Sequence, residues 1–251
     1  MKKAVALSLA LLILFALFAA AGCGSQGLTI EKGKLRMYGN ENVGFLEIKG
    51  GKPTGFSADL AEAIAGKLGL KLEVALLPFS DLFSRLTADI CDIAMSAITI
   101  TPERKLQMDF SQSYFTSGQS LLVRTGSTIA SEADLKGKKV GVIKGTTNQQ
   151  EAQKIPGIRQ IVKFDGKPEM FDALIDGKLD AVITDTPFAQ YNAKSTGKTR
   201  IAKVLTTGDQ YGIAVRKGNS KLLEKINETM SEIRKDGTYD RLYKKYFGNK
   251  I

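Results

Sequence analysis

Histidine and tryptophan are absent from the 251 residues, and cysteine occurs only twice, as Cys23 and Cys91. Without histidine there is no Ser-His-Asp triad, no Cys-His dyad and no HExxH zinc site. Two cysteines cannot staple a disulfide-dense mini-fold or form a CxxC metal site. No long Lys/Arg run occurs, so the formal charge of +10 does not by itself point to nucleic acid. Lys52, Lys67, Lys71, Lys136, Lys138 and Lys139 are scattered through turns and helix ends, as on a solvated surface. Low-complexity segments and long linkers are missing too. What is present is 43% apolar and 25% charged residues, enough for one large domain or two of about 100–150 residues each.

The first 22 residues read as a targeting segment. Lys2 and Lys3 form a basic flank, and Ala4 to Ala21 is an apolar run with one hydroxyl, Ser8. Ala20-Ala21-Gly22 then leads into Cys23, which is similar to the bacterial lipobox, where the cysteine is lipidated and becomes the mature N-terminus. The alternative is a transmembrane anchor, since the run is just long enough to span a bilayer. Removing Lys2 and Lys3 lowers the formal charge from +10 to +8. Residues 23–31 read as a tether.

From Lys34 onward, β and α patterns alternate, which predicts an α/β fold of two lobes, each a mainly parallel sheet flanked by helices. Ser57 is a candidate cap for a helix carrying Leu60, Ile64 and Leu68 on one face. The pattern restarts after Arg124. Leu86 to Ser96 lines up with Leu174 to Thr184: in each, an Asp (Asp92, Asp180) opens a strand that ends at a hydroxyl. The expected division is 32–118 with 212–251 as lobe 1 and 119–211 as lobe 2. Two short strands, near Ser117–Leu121 and Thr207–Gly212, join them, and a ligand is expected in the crevice between.

Three features can carry chemistry there. Ser96-Ala97-Ile98-Thr99 follows a strand and runs into Thr101-Pro102-Glu103-Arg104, a capped helix start. A guanidinium beside hydroxyls and backbone N–H groups suits a carboxylate; the alternative is a surface Arg in an ordinary turn. Gly145-Thr146-Thr147-Asn148 opens a helix whose N-terminus favours an anion, or is a plain cap. Asp185 follows a strand and either caps the next helix or meets an ammonium. Together Arg104, Thr147 and Asp185 complement an α-amino acid, which carries carboxylate and ammonium on one carbon.

Gly55-Phe56-Ser57-Ala58-Asp59-Leu60, Thr99 to Arg104, Asp109-Phe110-Ser111, Leu135 to Val142, Gly145-Thr146-Thr147, Gln210 to Val215 and Asp236-Gly237-Thr238-Tyr239 occur in an order that resembles the amino-acid-binding proteins of ABC importers. The likeness covers about Lys34 to Phe247. It implies a periplasmic-binding-protein fold whose α-carboxylate is met by Arg104, Thr99 and Thr147, and whose α-ammonium is met by Asp185 and the Ala97 carbonyl, with Ser96 beside them and Phe79 as an apolar wall. Asn40 falls where the family often has an Asp that reads the ligand side chain. Val43 replaces an aromatic lid, a role open also to Phe45. A carboxamide at position 40 favours a neutral polar ligand such as glutamine, whereas Glu41 or Asp209 would serve a cationic one.

The expected partners are therefore an amino acid, an ABC permease in the membrane and a lipid anchor, with the protein monomeric, exported, and free of metal or cofactor. Two other functions compete. An enzyme of dehydratase type would need a cleft acid, for which Glu41, Glu47 or Asp209 are candidates. A receptor's ligand-sensing domain would need membrane-spanning or signalling partners. Cys91 precedes a buried strand and is expected to be an inert packed thiol.

Overall fold

The computed structural model describes residues 27–248; the targeting segment and Cys23 lie outside them. One five-stranded sheet contains β1 (Lys34–Gly39), β4 (Lys71–Leu76), β5 (Ile93–Ala94), β6 (Met108–Phe110) and β12 (Ala214–Arg216), in the order β4-β1-β5-β12-β6. The other contains β7 (Phe115–Arg124), β8 (Lys139–Ile143), β9 (Gln160–Phe164), β10 (Ala181–Asp185) and β11 (Thr199–Tyr211), in the order β11-β7-β10-β8-β9. A small hairpin pairs β2 (Glu47–Lys49) with β3 (Lys52–Thr54). The flanking helices are α1 (Phe56–Lys67), α2 (Leu82–Thr87), α3 (Pro102–Gln107), α4 (Thr147–Lys154), α5 (Lys167–Ile175), α6 (Thr186–Thr196), α7 (Ser220–Lys235) and α8 (Thr238–Phe247). Among the described residues, no helix is long and apolar enough to cross a membrane.

The βα alternation produces the parallel half of each sheet, β4-β1-β5 and β9-β8-β10. The other half is antiparallel, so the sheets are mixed rather than mainly parallel. β12 pairs antiparallel with β5 and β6, and β7 with β10 and β11. The joining strands are not short either. β7 and β11 pair from Phe115↔Tyr211 to Arg124↔Thr199, and the segments expected as hinges lie along these long strands, with Gly212 just beyond β11. A two-stranded ladder of this length is stiffer than two isolated linkers, because each residue's freedom is restricted by its partner's hydrogen bonds.

The first helix does not begin at Ser57. Gly55 occupies the cap position with φ 113°, and a Cβ there would sit 2.5 Å from the Phe45 carbonyl. Only glycine allows that approach. Phe45 is not a lid. It is buried and packs edge-on against Phe56, Phe115, Phe188 and Tyr211. These rings, with Phe247 of α8 5.0 Å from Phe45, form an aromatic core where the two sheets meet. The second sheet has its own apolar cluster around Leu121, Val140, Val142 and Ile183.

Candidate functional site

Between the sheets, Phe79, Ser96, Ala97, Thr99 and Arg104 face Thr146, Thr147, Asn148, Lys167 and Asp185 around a narrow cavity of about 10 Å³, room for roughly one water molecule. The strand ends and helix starts that bear these side chains converge because βα units place their loops at the carboxyl ends of the strands.

Thr101 caps α3, its Oγ accepting from the Arg104 N–H at 3.2 Å, with Pro102 at the first helical position. That cap fixes the backbone from which the Arg104 side chain turns back into the seam. One guanidinium nitrogen donates to the Thr99 carbonyl at 2.7 Å and another to the Gly145 carbonyl of the opposite sheet at 3.3 Å. The guanidinium also lies over Phe79 and Phe83, 5.3 and 5.1 Å from their ring centroids. Phe79 thus both lines the cavity and stacks on the cation. Burial pushes the Arg104 pKa down to about 10, with Asp185 opposing the shift, so the group is still charged near neutrality. A half-buried cation with donors to spare in a flat fork is suited to a carboxylate.

Gly145 has φ 79°, and its backbone passes the Ser80 backbone closely enough that a Cβ would lie 3.4 Å from Ser80 Cα. Thr146 caps α4 by accepting from the Gln149 N–H. This leaves Thr147 at the helix start, its Oγ1 3.5 Å from the Thr99 hydroxyl across the seam. Ala97 is buried with φ 52°, an unusual conformation for a residue with a Cβ. Its N–H donates to the Tyr114 hydroxyl at 3.0 Å, which holds the twist in place.

Asp185 stands at the cap position of α6, yet its side chain makes no capping bond. It is 8% exposed and accepts from Asn148 Nδ2 at 2.8 Å. Burial raises its pKa, and the nearby Lys167 ammonium pulls it back. A carboxylate stripped of water and aimed at a cavity is suited to an ammonium.

The remaining expected residues divide. Ser96 lines the cavity, but its hydroxyl is engaged, donating to the Asn40 carbonyl and accepting from Asn42 Nδ2, both at 2.6 Å. Asn40 is buried beside the site and is not among the residues that line it. Its amide donates to the Leu77 carbonyl at 3.0 Å and to the Asp165 carbonyl of the other lobe at 3.3 Å, while its Oδ1 has no partner. Glu41, Glu47, Asp209, Val43 and Phe45 do not line the cavity. Glu47 is turned to the Gly44 N–H and Lys49, and Asp209 to Gln119 and Thr206.

Sequence reasoning missed Lys167, and it named Thr146 and Asn148 only as parts of the helix-opening turn, without a role at the site. Asn148 follows directly in the Gly145-Thr146-Thr147 turn, so its place at the site was within reach. Lys167 carried one faint signal. It is the first residue of a helix, where the positive end of the dipole makes a lysine unfavourable unless something else holds it.

Residues 38–249 match the model of the bacterial extracellular solute-binding proteins, family 3. A probable histidine-binding protein of Neisseria gonorrhoeae is 35% identical over 98% of this chain and 96% of its own. The ABC transporter glutamine-binding protein of Bacillus subtilis is 33% identical over 95% and 96%. Among solved structures, an ancestral arginine-binding protein bound to glutamine superposes with a TM-score of 0.83 at 43% identity, covering 87% of this chain and all of the other.

Proposed function

The chain belongs to the bacterial extracellular solute-binding proteins, family 3, and so to the amino-acid-binding proteins of ABC transporters with the two-lobed periplasmic-binding-protein fold; from this we propose that it captures one polar L-amino acid, glutamine-like in preference to a cationic one, between its closing lobes and delivers it to a membrane permease. The carrying observation is the cavity that sets Arg104, on the first lobe, opposite Asp185, on the second, with the Thr99 and Thr147 hydroxyls meeting at the seam. In this reading Arg104, Thr99 and Thr147 hold the α-carboxylate. Asp185 and the Ala97 carbonyl hold the α-ammonium, and Phe79 walls the side chain. Lobe 1 comprises 32–118 and 212–251, and lobe 2 comprises 119–211. Closure removes water from the two charge contacts and strengthens both.

Binding without turnover fits the lining. Its titratable groups are Arg104, Lys167 and Asp185; Arg104 and Asp185 complement a zwitterion, and Asp185 is the one carboxyl among them, so no second carboxyl is free to drive an elimination. The protein acts as a monomer outside the cytoplasm, tethered to the membrane by lipid on Cys23. The basic flank, the apolar run and Ala20-Ala21-Gly22 support that part.

A thermal-shift screen of the mature domain against the twenty amino acids tests the reading. One or a few polar amino acids are expected to raise Tm by several degrees at concentrations far above Kd. If none of the twenty shifts the transition, amino-acid capture is wrong.

A further inference from the structure

Lys167 is a cation that the mechanism above does not use. It is 6% exposed and lines the same cavity as Arg104 and Asp185. Its ammonium donates to Asn42 Oδ1 of the opposite lobe and lies 4.4 Å from the centroid of the Phe188 ring. Both contacts, an amide oxygen and a ring face, favour a positive charge there. Asn42 has no freedom to turn away, since its own amide donates to the Asn40 carbonyl and to Ser96 Oγ and its backbone N–H to the Leu46 carbonyl. The amide oxygen is therefore the end presented to Lys167. Two residues before it, the Asp165 carbonyl meets the Asn40 amide, so the 165–167 segment of lobe 2 closes directly onto the 40–42 segment of lobe 1.

Placing this cation is costly. It starts α5, whose positive end repels it, and burial pushes its pKa down to about 8 while Asp185 acts the other way. A lysine retained against both effects at the wall of a ligand cavity is positioned to read the ligand.

Resting on the amino-acid-binding reading, we propose that Lys167 is the specificity-determining residue of the cleft: it donates to a side-chain oxygen of the ligand, a carboxamide or carboxylate, and repels guanidinium and ammonium side chains. The charge count of the lining supports this. Arg104 and Lys167 contribute two positive charges and Asp185 one negative. A zwitterionic backbone adds nothing to the sum. A cationic side chain brings a third positive charge into a site shielded from water, while a carboxamide oxygen meets Lys167 as an acceptor and a carboxylate leaves the site neutral.

The test is calorimetric titration of the mature wild-type domain, Lys167→Met and Lys167→Gln with glutamine, glutamate and arginine. Wild type is expected to bind glutamine or glutamate at least tenfold more tightly than arginine. Both variants are expected to lose at least tenfold of that preference, by weaker binding of the oxygen-bearing ligand, tighter binding of arginine, or both. Lys167→Gln keeps a donor without the charge, so it separates repulsion of cations from hydrogen bonding, and it serves alone if the Met variant does not fold. A preference unchanged within threefold in the folded variants overturns the proposal, as does a wild type that prefers arginine. Failure of the binding reading looks different: no amino acid then binds wild type at all.

Discussion

The two lobes use the same device to build their sheets and opposite charges to build the site. In lobe 1 the Asp92 N–H donates to the Arg36 carbonyl at 3.0 Å, and its carboxylate accepts from the Arg36 N–H at 2.7 Å. In lobe 2 the Asp180 N–H donates to the Lys139 carbonyl at 2.9 Å, and its carboxylate accepts from the Lys139 N–H at 2.7 Å. Each Asp thus fixes the register between the central strand and its neighbour, which decides where the strand's far end emerges. At those far ends the likeness stops. Lobe 1 continues from Ser96 into the turn that carries Arg104, and lobe 2 from Thr184 into Asp185. A shared scaffold places a cation on one side of the seam and an anion on the other, and a zwitterion is complementary to the pair. The frame is thus separable from the residues that read the ligand, and the separation can be tested position by position.

The largest effects are expected at the two charges. Arg104→Ala and Asp185→Asn each leave one end of a bound amino acid unpaired in a buried site, a loss of about 2–5 kcal/mol, or roughly thirtyfold to a few thousandfold in affinity. Calorimetry should show both, with the ligand-free Tm of Arg104→Ala changed far less than affinity, because its side chain meets only two backbone carbonyls at the seam and the faces of Phe79 and Phe83. If one variant loses less than tenfold, the lobes are unequal partners and the other charge dominates capture.

Next come the two register-setting carboxylates. Asp92 is buried and takes a second backbone donor, the Ile30 N–H at 2.7 Å, which ties down the segment before β1. Asp180 is half-buried. Asp92→Ala leaves two N–H groups unpaired and is expected to cost about 2–4 kcal/mol, against about 1–2 kcal/mol for Asp180→Ala. Urea denaturation measures both. An equal or larger loss for Asp180 would mean that the second N–H adds nothing and that lobe 2 depends more on its register lock.

Smaller differences are expected at the strand ends. The Ser96 hydroxyl has two partners, whereas Thr184 Oγ1 is buried with no hydrogen-bond partner. Ser96→Ala should cost about 1–3 kcal/mol by leaving one buried Asn42 N–H without its partner, while Thr184→Val should be neutral or slightly stabilising, since it removes a desolvated hydroxyl without loss of shape. Destabilisation by Thr184→Val of more than about 1 kcal/mol would show that this hydroxyl does have a partner in solution.

The parts of this molecule that were legible in advance are those decided locally. Thr101-Pro102 and Gly145-Thr146 announce helix starts because capping acts over three residues, and Asp92 and Asp180 stood out through the repeated pattern around them. Strand direction was not legible for β7, β11 and β12, because their partners are distant in the chain and alternation does not encode orientation. Ser57 looked like a cap until Gly55 was seen to pass against the Phe45 backbone, a tertiary constraint. Asn40 is a similar case. The chemistry of a carboxamide was readable, but its engagement with Leu77 and with Asp165, 125 residues away, depends on the tertiary fold. Lys167 meets Asn42 across the same span, so beyond its place at a helix start nothing local marked it.

The last contrast is the thiol of lobe 1. In the repeated segment Cys91 stands where lobe 2 has Leu179, and both are buried. Cys91 is 1% exposed, and burial, assisted by the neighbouring Asp92 charge, pushes its pKa up to about 12. Since the thiolate is the reactive species, the folded protein at pH 8 is expected to react with a thiol-specific reagent only through opening of lobe 1. The pH dependence follows with a definite sign. The folded thiol ionises at higher pH than the unfolded one, so the stability it contributes is complete below about 9 and is lost as pH rises toward 12. Cys91→Ala is expected to cost about 1 kcal/mol at neutral pH through lost packing and to flatten this alkaline decline relative to wild type. Labelling of the mature wild-type domain should slow when ligand is added, because capture by both lobes suppresses the opening that exposes Cys91. Fast labelling unaffected by ligand would mean that the Cys91 wall of lobe 1 opens independently of the cleft, and the two lobes would then differ in rigidity as well as in charge.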